Sequence, residues 1–138
     1  MFLNLVSDFH YHVVWAAKKL ARGETLVARE CLDGYLRQLY LRCCAWEAIS
    51  RGSSPPAVRL SRFFEIWASQ SAIKGMATLC TRYEALEVAR SLRASIPAFS
   101  SIAVIVADAV CAAYPADAER KIRDTTARIL GSDHGSAS

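Results

Sequence analysis

The chain has 138 residues, 53% of them hydrophobic and 22% charged, with a formal net charge of +4. That is the size of one domain able to bury a core without disulfides or metals, and the composition excludes a disordered chain. The positive balance suits an anionic partner such as a nucleotide phosphate, but it is too small, and too interspersed with acids, for nucleic-acid binding.

The elements follow in chain order. Ser7 or Asp8 can cap a first helix that runs to about Arg22, where Gly23 stops it. A longer second helix is expected from Glu24 to about Ser50, with Leu32, Leu36, Leu39, Cys43 and Trp46 at helical spacing. Arg29, Asp33 and Arg37 stand four apart and should pair along its outer face. The stretch 51–56, with Gly52, Pro55 and Pro56, is a loop. A third helix is expected over about 59–69 and a short fourth over 72–79. Thr81 and Glu84 match a capping box that would open a fifth helix of about a dozen residues. Pro97 fits the first turn of a sixth, apolar on every side and so expected to be central, which Pro115 ends. Asp117 or a neighbour starts the last helix, to about Leu130. The small, polar tail 131–138 is expected to be disordered. No segment alternates with period two and none repeats, so the prediction is an all-α bundle of six to seven helices occupying 1–130.

Five cysteines, Cys31, Cys43, Cys44, Cys80 and Cys111, form no C-x-x-C pair and sit among apolar residues. Reduced, mostly buried thiols in a cytoplasmic protein are expected, not a disulfide framework. The apolar run at 1–6 has no basic leader, and the longest uncharged stretch, 94–107, is shorter than a membrane span and contains Pro97; no membrane partner is expected.

On the first helix, Tyr11, Trp15, Lys18 and Arg22 are spaced by four, three and four and share a stripe beside the core stripe of Phe9, Val13, Ala17 and Leu20. Such a stripe can stack on a ring and neutralise a phosphate, or simply be a half-buried face with long side chains reaching solvent. His10 and His12, two apart on a helix, point to nearly opposite sides and make no metal pair, so they read as ordinary helix histidines. Arg128 and His134 have the spacing of a helical ribonuclease motif, but they straddle Gly131. There is no Gly-rich phosphate loop and no G-x-S-x-G.

The run from Phe9 to Glu24, above all Ala17-Lys18-Lys19-Leu20-Ala21-Arg22-Gly23-Glu24, resembles the opening of the C-terminal helical domain of the streptomycin (aminoglycoside 6-) adenylyltransferase family. The likeness continues through Asp33-Gly34-Tyr35-Leu36, Arg62-Phe63-Phe64-Glu65-Ile66-Trp67, Tyr83-Glu84-Ala85 and Tyr114-Pro115, covering about Phe9 to Leu130. The resemblance implies a nucleotidyltransferase that inactivates an antibiotic. In that family the chemistry belongs to a preceding domain, whose carboxylates hold magnesium and align ATP for attack by a drug hydroxyl. No strand-borne Gly-Ser with Asp-x-Asp occurs here, so the catalytic half is expected to be missing, and this chain alone to bind no cofactor and turn nothing over.

By resemblance, Lys18 contacts phosphate, Trp15 and Arg22 line the cleft with Tyr11, and Glu24 belongs to the cleft or fixes the interhelical turn. The chain departs from the family pattern at His10, Ala45 and Ser61, where relatives carry Trp, Glu and Gly. The missing acid at position 45 weakens the case for a cationic aminoglycoside. The expected partner is a catalytic domain or a separate nucleotidyltransferase, with a small-molecule substrate; a stand-alone interaction module and a ribonuclease are the alternatives. An apolar surface around Tyr11, Trp15 and Tyr40 is expected to be exposed and to favour a homodimer.

Overall fold

The computed structural model describes residues 1–131. Helix α1 (Phe2–Ala21) buries Phe2, Leu5, Val6, Phe9, Val13, Ala16 and Ala17, a stripe recurring every three to four residues. It starts well before Ser7 and Asp8, which lie inside the helix and cap nothing. Burial of Phe2, Leu5 and Val6 outweighs a cap worth about 1 kcal/mol. Gly23, at φ +89°, stops the helix as expected, its N–H donating to the Leu20 carbonyl at 2.9 Å.

Helices α2 (Thr25–Glu30) and α3 (Arg37–Ser50) are joined without a break by a π-helical segment, Cys31–Leu36. The expected single helix therefore exists, with its register shifted in the middle by i→i+5 bonding. The outer ladder forms: Asp33 accepts from Arg37 and lies 3.6 Å from Arg29.

A loop follows in which Arg59 and Phe63 adopt left-handed backbone, which confines α4 to Phe64–Trp67, far shorter than expected. Ser69 caps α5 (Gln70–Leu79), its Oγ accepting from the Ala72 N–H at 3.1 Å.

The two helices expected on either side of Pro97 are one, α6 (Ala85–Ala109), with the proline inside. The capping box is not used. Glu84 is the extended residue before α6 and makes no side-chain cap, while the Thr81 carbonyl accepts from the Arg29 guanidinium at 3.1 and 3.3 Å. Nor does Pro115 end the sixth helix. α6 stops at Ala109, ahead of left-handed Cys111, and Pro115 instead precedes α7 (Ala116–Leu130).

α6 packs against α1, α3, α5 and α7, and its Phe99 stacks on Phe9 at 4.0 Å between ring centroids. By length and composition α6 is long and apolar enough to cross a membrane; here its stripe Val88, Leu92, Ile96, Phe99, Ile102 and Val106 is core. The helix is central on one side only, since Val104 and Ile105 are exposed. No strand occurs among the described residues, and the fold is an all-α bundle. The tail expected to be disordered lies, beyond Gly131, outside the described residues. Cys31, Cys43 and Cys44 are buried free thiols, while Cys80 and Cys111 are exposed.

Candidate functional site

Among the described residues, two open concavities against α1 stand out. One, of about 760 Å³, lies at its start, between Phe2, Trp46, Ile49, Val106 and Val110, and is mostly apolar. The other, of about 520 Å³, lies halfway along α1 against α2 and the π-helical segment. Tyr11, His12 and Trp15 line it from α1, Val27 and Glu30 from α2, and Cys31 and Tyr35 from the π segment. The second sets His12 and Glu30 among the rings of Tyr11, Trp15 and Tyr35, and it holds two of the residues singled out by sequence.

Its geometry begins with Asp8, one turn before His12. The His12 Nδ1 lies 2.9 Å from the Asp8 carbonyl oxygen and 3.0 Å from its carboxylate Oδ1. The Tyr35 hydroxyl donates to the other carboxylate oxygen of Asp8 at 2.5 Å, which raises the tyrosine pKa. The His12 ring packs on Tyr35 at 4.2 Å, with Tyr11 edge-on at 5.1 Å and Trp15 at 6.4 Å. Asp8 thus ties the π segment to α1. Cys31, beneath, points its thiol at the His12 carbonyl, and burial pushes that thiol up to about 11, so it is a neutral part of the floor.

The predicted stripe is partly dispersed. Tyr11 is 64% exposed and Trp15 half-buried, and both line the groove. Lys18 and Arg22 are exposed and do not line it. It is Lys19 that stands over Trp15, its Nζ 5.3 Å from the ring centroid, and it reaches Glu24 at 3.8 Å. Glu24 immediately precedes α2 and belongs to this interhelical pair. The reason is angular. Each residue turns the helix by about 100°, so His12 and Lys19 share the flank that faces α2 while Lys18 is turned about 100° away from Lys19, and Arg22 lies past the end of α1.

Sequence reading missed His12, Asp8 and Tyr35. The i,i+4 spacing of Asp8 and His12 was a legible signal. Tyr35 was not legible, because its direction depends on the π register. Tyr40, expected on the exposed face, is fully buried, its hydroxyl donating to the Ala72 carbonyl at 2.8 Å, so it cannot belong to a docking surface. His10 and His12 do diverge: His10 is buried edge-on to Phe99.

Among the described residues no three His, Cys, Asp or Glu side chains converge as a metal site would require. Of the ribonuclease pair, Arg128 is exposed beside Thr125 and His134 lies outside the described residues.

A family model described as streptomycin adenylyltransferase matches residues 1–129. Comparison with curated proteins gave no match, and neither did comparison with solved structures.

Proposed function

The chain belongs to the streptomycin adenylyltransferase family, and on that premise we propose that it forms the helical, substrate-side part of a nucleotidyltransferase. The reaction is nucleotidyl transfer from a nucleoside triphosphate to a hydroxyl of a drug or similar small molecule. The carboxylates that would hold magnesium come from a catalytic unit, fused or separate, and this chain is inactive without it. No step through the metal is assigned to these residues.

The observation that supports this reading is Trp15, half-buried at the edge of an open groove with a cation on one side and acids on the other. Lys18, Lys19 and Arg22 gather positive charge at the end of α1, where a phosphate would be neutralised. Tyr11, Tyr35 and Glu30 offer ring faces and a carboxylate to the acceptor substrate. Glu30 also answers the absence of an acid at Ala45, because it places negative charge on the groove from a different turn of helix.

The test is to incubate the chain with ATP, magnesium and streptomycin and to look for adenylylated drug by mass spectrometry. No product is expected from the chain alone. Turnover would overturn the claim that the chemistry needs residues from elsewhere.

A further inference from the structure

We infer that His12, held by Asp8 and by the π-helical Tyr35, is the hydrogen-bond acceptor that positions the substrate's hydroxyl in the groove. The inference rests on the proposed reading that this groove takes the acceptor substrate, and it adds the residue that orients it.

The argument starts with the tautomer. Both atoms facing His12 Nδ1, the Asp8 carbonyl and carboxylate oxygens, can only accept. In the neutral imidazole, Nδ1 must therefore carry the proton, and Nε2 is left as an acceptor. Nε2 has no hydrogen-bond partner among the described residues, and the ring that carries it lines the groove. The ring cannot easily turn away. Asp8 holds one edge, Tyr35 packs on its face at 4.2 Å, and the Tyr35 hydroxyl fixes the far oxygen of the same carboxylate. An acceptor locked in direction by its neighbours is what orienting a hydroxyl requires.

The rest of the groove agrees on the chemistry of the occupant. Glu30 is a second acceptor, and Tyr11, Trp15 and Tyr35 present electron-rich ring faces. A wall of acceptors and ring faces suits a ligand rich in donors: a hydroxylated ring bearing protonated amines or guanidinium groups.

The experiment measures streptomycin binding to the full chain by calorimetry, beside thermal unfolding of each variant. Wild type should bind saturably. Trp15→Ala should abolish the signal, and His12→Phe, which keeps a ring but removes the acceptor, should weaken affinity about tenfold, the scale of one lost hydrogen bond. His12→Gln, whose side-chain oxygen can stand near Nε2, should recover to within about threefold of wild type, whereas a merely structural histidine would not be rescued this way.

The outcomes separate the two claims. If His12→Phe binds as wild type while Trp15→Ala does not, the groove reading stands and the His12 assignment falls. If neither variant changes binding, or if wild type shows no saturable binding, both fall. If His12→Phe loses only melting temperature and binds normally when folded, the Asp8–His12 pair is structural and the inference is overturned.

Discussion

Gly75 and Tyr40 show how little room the core leaves. Tyr40 is fully buried in α3, and its hydroxyl reaches across to the Ala72 carbonyl on α5 at 2.8 Å. A Cβ built on Gly75, one turn further along α5, would lie 2.0 Å from that hydroxyl and 3.0 Å from the ring carbon bearing it. Glycine is required here by close approach, since its φ is not positive. Gly75→Ala should therefore destabilise the chain by about 1–3 kcal/mol through overpacking. Adding Tyr40→Phe removes the atom in collision, so the double variant should be more stable than the two single effects predict. Urea denaturation of the four proteins checks this, and strict additivity would show that the contact is not the cause. From sequence, Tyr40 looked like a surface residue because nothing local announced Gly75 as its socket. Burial by a distant small residue leaves no periodic signal.

At the scale of elements, most of the bundle was legible, and the misses have one physical form. Gly23, the loop at 51–56 and the apolar spacing of α1 and α3 were readable because they are local. Ser7, Asp8, Thr81 and Pro97 are also local signals for boundaries, and tertiary packing overrode all four. The stripe from Val88 to Val106 buries enough apolar surface to carry α6 through Pro97, although an interior proline costs a helix about 3 kcal/mol. The π-helical segment had no sequence signature, yet it points Tyr35 at Asp8. Gly34 sits inside it with open space around its would-be Cβ and no positive φ. Alanine there restricts the unfolded chain without meeting anything in the folded one, so Gly34→Ala should stabilise by about 0.4–1 kcal/mol. A higher urea midpoint with unchanged slope is the expected result. A loss of stability would mean that the π register depends on the glycine itself.

For the molecule as a whole, the seam that fastens α7 to α1 and α6 is unusually polar, and this makes stability depend on acidity. Glu119 is buried on α7, where Tyr114 donates to it at 2.5 Å and Arg123 Nε at 2.8 Å. Burial pushes its carboxyl up, but the hydrogen bonds from Tyr114, Ser100 and Arg123 outweigh that and hold it below its usual range. Across the seam, His10 is buried with its Nε2 unpartnered, and burial lowers its pKa below 6.5 despite the attraction of Glu119. Both shifts make acid destabilising, in two windows. As pH falls through 6.5 the unfolded chain takes up a proton on His10 before the folded one does, so stability drops until the lowered folded value is reached. The stabilisation from Glu119 is complete above 4.5 and is lost as pH falls below that, through its lowered folded value. His10→Leu removes the first window and leaves the second. It should also gain about 1 kcal/mol near neutral pH, because an unpaired buried nitrogen is replaced by carbon of similar size. Urea midpoints for wild type and His10→Leu at pH of about 7.5, 5.5 and 4 read out both windows. The wild type should weaken at the first step and the variant only at the second. Equal weakening of both proteins between the two higher pH values would show that the seam is not what senses acid.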